Sequence, residues 1–163
     1  MILITHYIDL DGIGSVILSN YSRLEFSKII GGSYEKNDYE LFAPYADKNE
    51  FLITTDYRIT KELYDFFKEG FEDFICFDHH EETLQFKGDD KVIVDIEKCG
   101  TLLFYENVIP QEIKNSASDH LVNLINTYDM WQKESPLWQE ALNLNRVLWS
   151  TIDWTYPEKD FNR

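Results

Sequence analysis

No stretch of this sequence stays apolar for the length of a membrane span, so a transmembrane helix and a membrane partner are excluded from the expectation. Cysteine is nearly absent. Cys76 and Cys99 sit in neither a Cys-x-x-Cys pair nor a zinc-finger spacing, and they read as a buried strand thiol and a loop or helix-start thiol. Bases are scarce, 15 against 30 acids, for a formal charge of -15. That excess repels a phosphate backbone unless cations intervene, which excludes a broad electrostatic face for duplex nucleic acid. Repeats, low-complexity tracts and long linkers are also missing. Met1 leads into a strand without a basic flank or cleavage site, and with so little cysteine the expectation is a reduced, cytoplasmic protein.

What is present is a foldable chain. Its 163 residues are 44% hydrophobic, with eleven phenylalanines, ten tyrosines and four tryptophans, enough for one domain with a sizeable core. Ile2 to Ile8 is β-rich, and Asp9-Leu10-Asp11-Gly12-Ile13-Gly14-Ser15 supplies turn chemistry and a helix cap before the apolar stripe of Val16, Ile17, Leu18, Tyr21 and Leu24. Phe26 to Ile30 predicts a second strand closed by Gly31-Gly32. Glu35 to about Asp47 predicts a weaker helix interrupted near Pro44. Strands follow at Glu50–Asp56, Phe74–Phe77 and Lys91–Asp95, with helices from Thr60 to Gly70 and Gly100 to about Val108 between and after them. Strands separated by helix-length connections predict an α/β fold: a Rossmann-like, mostly parallel five-stranded sheet flanked by helices. Beyond Pro110 the chain turns helical, with Ser118 as a cap and Asp129 as a terminus, then a last helix from about Leu137 to Trp149. Trp154 to Arg163 reads as a tail or dimer arm, its exposed aromatics suiting a homodimer patch.

The chemistry gathers where strands stop. Cys76-Phe77-Asp78-His79-His80 is an apolar strand ending abruptly on an acid and two imidazoles. His6, Asp9, Asp11 and Asp56 also fall at or just beyond strand ends. In a parallel sheet those ends share one edge, where ligands bind. Hard oxygen donors with a minority of imidazoles favour manganese or magnesium over structural zinc. Several shared carboxylates suggest two ions about 3.5–4 Å apart, the spacing that clamps a phosphoryl group.

In order, His6-x-x-Asp9-x-Asp11-Gly12, strand-terminal Asp56, Asp78-His79-His80, Lys98-Cys99-Gly100-Thr101-Leu102-Leu103 and Tyr128-Asp129-Met130-Trp131 resemble the motifs of the DHH phosphoesterase superfamily. The resemblance implies that residues 1–131 form a phosphoesterase domain, with 132–163 a helix and tail packed on it. It further implies two divalent cations, manganese before magnesium: His6 and Asp9 on one, Asp11, His79 and Asp129 on the other, Asp56 bridging. His80 would touch the substrate phosphate or leaving oxygen, and Asp78 would orient the histidine pair. Relatives release 5′-monophosphates from short oligonucleotides in exonuclease-like fashion or linearise cyclic dinucleotides. Two departures have consequences. His6 and Asp9 are separated by two residues where relatives have one or three, which requires a bulge or a changed strand end. Nothing after Trp131 resembles the glycine- and histidine-rich loop with which relatives grip the substrate's far end.

The implied function is a manganese-dependent phosphodiesterase acting on a small nucleotide or short single-stranded oligonucleotide. The alternatives are an inactive nucleotide-binding or scaffold module on the same fold, and a phosphomonoesterase or pyrophosphatase using the same ions. Tyr128 and Trp131 read as core side chains, Arg58 as half of a surface salt bridge, and His120 as a solvated helix residue. Thr101 reads as a helix start or a phosphate contact. Glu81 and Glu82 read as solvent-facing acids that discourage long polyanions.

Overall fold

Five short strands, β1 (Ile2–His6), β2 (Lys28–Gly32), β3 (Phe51–Thr55), β4 (Asp73–Asp78) and β5 (Val92–Val94), pair in parallel in the order β2-β1-β3-β4-β5. The structure is a computed structural model that describes residues 1–33 and 38–151. The tail expected from Trp154 and the start of the helix expected from Glu35 lie outside those residues. Leu3 of β1 lies opposite Ile29 of β2 on one side and Ile53 of β3 on the other.

Helices cover both faces of the sheet, which is why the strands are nearly continuous apolar runs. Ile2 and Ile4 pack with Phe42 of α2 (Asp38–Phe42) and with Leu63 and Phe67 of α3 (Lys61–Gly70). Leu3, one residue out of phase, packs on the opposite face with Val16 and Leu18 of α1 (Leu10–Ser22) and Leu103 and Phe104 of α4 (Gly100–Asn107). Val122 of α5 (Ser116–Asp129) joins that second cluster. The last described helix, α6 (Trp138–Thr151), lays Leu144 and Leu148 on Leu121 and Ile125 of α5, in a third, smaller cluster with Leu10 and Cys99. This is an α/β fold with a helical C-terminal part.

Helix starts follow side-chain caps. Thr60 accepts from the Leu63 N–H at 3.2 Å and starts α3 where expected. Two starts differ from expectation. Helix α1 begins at Leu10 rather than near Ser15, because Asp9 accepts from the Gly12 N–H at 2.9 Å and caps it directly. Helix α5 begins after Asn115 rather than Ser118. Asn115 accepts from Ala117 and Ser118 N–H, while the Ser118 hydroxyl accepts from Asn115 N–H, a reciprocal capping box. The weak helix near Pro44 is α2 followed by a single 3-10 turn, Ala43–Tyr45.

The chain passes from β1 outward to β2, then back across β1 to β3. That reversal opens a crevice beyond the carboxyl ends of β1 and β3, the place where open parallel sheets hold ligands.

Candidate metal centre

His6 is the last residue of β1 and is buried. Its Nδ1 lies 2.5 Å from Asp9 Oδ2. Of the two outcomes expected from the altered spacing, a bulge or a changed strand end, the bulge does not occur: β1 stays in register with β2 through His6 opposite Gly32. The two-residue spacer closes instead by starting α1 at once. Gly12 makes that possible, because a Cβ there would stand 1.7 Å from the His6 carbonyl oxygen. Asp11, in the first turn of α1, is wholly buried and accepts from the Gly100 and Thr101 N–H groups at 2.6 and 2.7 Å. The N-terminus of α4 therefore holds this carboxylate in place, and the Thr101 hydroxyl donates to the Asp11 carbonyl. Thr101 is a helix start whose polar groups are spent on Asp11.

Asp56 follows β3 with φ 48°, a left-handed conformation that is uncommon outside glycine. Its N–H still donates to Phe77 O at 3.0 Å, so the ladder continues one residue past the strand while the side chain turns into the crevice. Gly100 packs against this turn, and a Cβ there would lie 2.6 Å from Asp56 N and 2.8 Å from its Cα. At the end of β4, buried Asp78 accepts from the Thr83 hydroxyl and pairs with His80 Nδ1 at 2.7 Å. The Thr83 hydroxyl in turn accepts from Ile59 N–H at 2.8 Å. Asp78 thus orients His80 through its ring nitrogen, rather than both histidines equally.

Donor atoms from four separate segments converge. Among the described residues three sets come within 4.8 Å of one another: His6, Asp9 and Asp56; Asp11, His79 and Asp129; and Asp56, His79 and His80. His79 Nε2 is 3.4 Å from Asp56, 3.5 Å from Asp129 and 3.8 Å from Asp11. His6 Nδ1 is 3.7 Å from Asp56 Oδ2. Asp56 belongs to the first and third sets and His79 to the second and third, so the three form one continuous cluster.

Packing carboxylates this closely perturbs them. Burial pushes Asp56 well above the ordinary carboxylate range, and Asp9 and Asp11 add to the shift. Burial, then Asp11, raises Asp129 to about 8. Burial also raises Asp11, against the pull of His79. Burial pulls His6 down, but hydrogen bonds to Asp56 and Asp9 outweigh it and lift the imidazole to about 9. Burial of Asp9 is likewise outweighed, by His6, and its carboxyl ends below the ordinary value. Asp129 Oδ2 is buried without a hydrogen-bond donor among the described residues. Burial and Asp11 push the Cys99 thiol well up, so it stays protonated beside the acids and offers no thiolate. The donor set is thus hard oxygens and imidazoles around a buried acceptor that lacks a partner, a set that could hold divalent cations.

All six residues expected as ligands, with Asp78 and His80, therefore lie in one neighbourhood. Thr83 lies in none of the motifs, since a threonine in a loop looks ordinary until its neighbours are known, and Gly100 lies in the Lys98–Leu103 segment without a role of its own. Arg58 Nη1 is 4.0 Å from Glu82 Oε1, the surface pair expected, and His120 pairs with Glu140 at 2.8 Å on the exposed surface. Trp131 departs from expectation. It is 58% exposed rather than core, because φ 54° after the end of α5 turns it out of the packed layer.

No protein-family model matches the chain, and neither does any curated protein. A crystal structure of an uncharacterized protein from Helicobacter pylori G27 superimposes with a TM-score of 0.69 at 17% identity, over 90% of this chain and 47% of the other. The chain spans about half the length of that protein, and a likeness at such low identity concerns the fold alone.

Proposed function

We propose that this chain is a metal-dependent phosphodiesterase of the DHH type that hydrolyses a small nucleotide phosphodiester. One observation carries the reading: His6, Asp9, Asp11, Asp56, His79 and Asp129, distant in sequence, meet at the sheet's switch point in sets linked by Asp56 and His79. His6, Asp9 and Asp56 would hold one cation, and Asp11, His79 and Asp129 a second, with Asp56 between them. Manganese suits this oxygen-rich mixture, and magnesium is the next choice. Bound there, the ions supply Lewis acidity toward the phosphoryl oxygens and a nucleophile from water.

The protein's own groups do the rest. Asp11, fixed by two N–H donors, and Asp56, fixed by its turn, keep the carboxylates from collapsing onto the sheet. Interactions with His80 and Thr83 keep the Asp78 carboxyl below its ordinary value against burial, so it accepts and the proton sits on His80 Nδ1. His80 Nε2 then faces the substrate: when that nitrogen also carries a proton, the imidazolium would pass it to the departing alcohol oxygen as the bond from phosphorus to that oxygen breaks and the bond from the attacking water oxygen forms, leaving a neutral imidazole. The net charge of -15, with Glu81 and Glu82 beside the site, favours a short ligand over a long polyanion.

The test is product analysis by mass spectrometry after incubation of manganese-loaded protein with a dinucleotide, a cyclic dinucleotide and a nitrophenyl phosphodiester. Cleavage of at least one, lost in Asp56→Ala of unchanged circular dichroism, is the expected result. Inactivity on all three removes the proposal. Saturable nucleotide binding without turnover would identify a binding module instead, and phosphate released from pyrophosphate a pyrophosphatase.

A further inference from the structure

Two residues beyond Asp129 the chain accepts two unfavourable features at one position. Trp131 occupies the left-handed position after the end of α5, with φ 54°, where glycine is the usual residue because a Cβ is strained there. The turn is fully hydrogen-bonded around it, Met130 N–H donating to Asn126 O and Gln132 N–H to Thr127 O, both at 3.0 Å. A glycine would make this turn more easily. The indole is also 58% exposed, although an apolar core lies one layer away. Strain and exposure of a large aromatic together call for a role outside packing.

The indole is braced. Trp138 meets it edge to face with ring centroids 5.3 Å apart, and Tyr128 meets it at 6.0 Å. Tyr128 is itself stacked on Trp138, at 5.9 Å with 11° between the planes. Tyr128 is rooted in the core cluster of Leu10 and Ile125, so the three rings form a rigid bracket anchored beside the acid site. Lys133 Nζ stands 4.6 Å from the Trp131 ring centroid. That position is a sign that the ring offers a π face toward solvent, where the exposed Lys133 side chain lies over it. The Cα of Trp131 is two residues from that of Asp129, so the two are separated by at most ~7.6 Å. The root of the platform is therefore close in the chain to one of the acids of the cluster.

We infer that Trp131, braced by Trp138 and Tyr128, is a stacking platform for a nucleobase of the substrate. This deepens the phosphodiesterase reading and rests on it for the placement of the phosphate at the acids. Stacking is tolerant of base identity, because every base has a π face, so the platform would select nucleotides over other phosphoesters without reading sequence. A base arriving on the lysine's side displaces a solvated ammonium from an exposed cation–π contact, a weaker interaction than base–aromatic stacking.

The experiment is binding of 5′-AMP, adenosine and ribose 5-phosphate to the manganese-loaded chain, followed by calorimetry and by quenching of tryptophan fluorescence. None of the three is a phosphodiester, so the proposed activity does not consume them. 5′-AMP is expected to bind more tightly than ribose 5-phosphate and to quench the fluorescence. Trp131→Gly suits the backbone at this φ and keeps the turn, and it should weaken 5′-AMP binding by roughly ten- to a hundredfold and remove the quench. Trp131→Phe retains a π face and should restore most of the affinity. Equal binding of 5′-AMP and ribose 5-phosphate, or an unchanged affinity in Trp131→Gly, overturns the platform even if diesters are cleaved. The absence of any fluorescence response to 5′-AMP and adenosine overturns it as well. Base-dependent binding lost in Trp131→Gly, in a protein that cleaves no diester, keeps the platform and removes the hydrolase.

Discussion

The two halves of the acid cluster bury charge in different ways. In the set of His6, Asp9 and Asp56, an imidazole lifted to about 9 lies 2.5 Å from a carboxylate held below its ordinary value, so at neutral pH the pair compensates itself. In the set of Asp11, His79 and Asp129, the separations of 3.5 and 3.8 Å from His79 are too long for good hydrogen bonds. There Asp11 is raised despite its two N–H donors, and burial and Asp11 carry Asp129 to about 8. The His6–Asp9 pair therefore carries its own countercharge, whereas Asp56, which joins the halves, and Asp11 and Asp129 in the second, all raised, depend on a proton or a cation. Occupying the first half requires a proton to leave His6, and occupying the second requires one to leave Asp129.

The largest effect tests whether the halves are truly joined at Asp56. Gly100→Ala would drive a Cβ to within 2.6 Å of Asp56 N and 2.8 Å of its Cα, backbone atoms that cannot swing aside. Asp11 hangs on the Gly100 N–H, so the same shift disturbs the second half. Overpacking of this kind costs about 1–3 kcal/mol, read as a lower denaturant midpoint, and manganese uptake by calorimetry should fall in both halves together. Loss of uptake in one half alone would mean that Asp56 does not couple them.

A second, smaller effect separates the halves by pH in chelator-treated protein. His6 and Asp129 are both raised above their unfolded values of 6.5 and 3.8, so each binds its proton more tightly when folded. Each contribution is complete below the unfolded value and is lost as pH rises through the folded one. Stability should therefore fall from about pH 4 toward pH 8 on account of Asp129, and from about 6.5 toward 9 on account of His6. Asp129→Asn should remove only the lower part of the decline and His6→Gln only the upper part, in thermal melts taken across the range. Manganese binding should show the opposite slope, strengthening with pH as those protons leave. A decline that vanishes entirely in either variant would show one coupled cluster rather than two halves.

Much of this arrangement is legible in the sequence. Apolar strands that stop on Asp56 and Asp78 announce a parallel sheet with acids along one edge, because period-free apolar runs need cover on both faces and turns carry the polar residues. Exact helix starts were less legible where two capping residues compete: Asp9 and Ser15 for α1, Asn115 and Ser118 for α5. Asp9 starts its helix early because the spacing to His6 leaves no room for a longer loop, which also removes the need for a bulge. Thr83 and Gly100 act through neighbours far away in sequence, and only the fold brings Thr83 to Asp78 or Gly100 to Asp56. Trp131 was misread as core because a left-handed backbone at a tryptophan leaves no mark in composition or periodicity.

The smallest effect concerns the scaffold, and it guards the other two. Asn115 caps one end of α5 and Asp129 closes the other, fourteen helical residues apart, a separation of about 20 Å. Asn115→Ala removes the acceptor for two N–H groups and should lower stability by about 1 kcal/mol, seen as a lower midpoint with an unchanged slope. The pH decline should keep its shape, because neither His6 nor Asp129 touches the cap. Ser118 retains its bond to the Tyr105 hydroxyl at 2.8 Å, so the first turn of α5 stays on α4 and the Asp129 end stays where the core holds it. If the lower part of the pH decline shifted in this variant, the raised value of Asp129 would depend on the whole helix rather than on burial beside Asp11. The second half of the cluster would then be a property of α5 and not of the sheet edge.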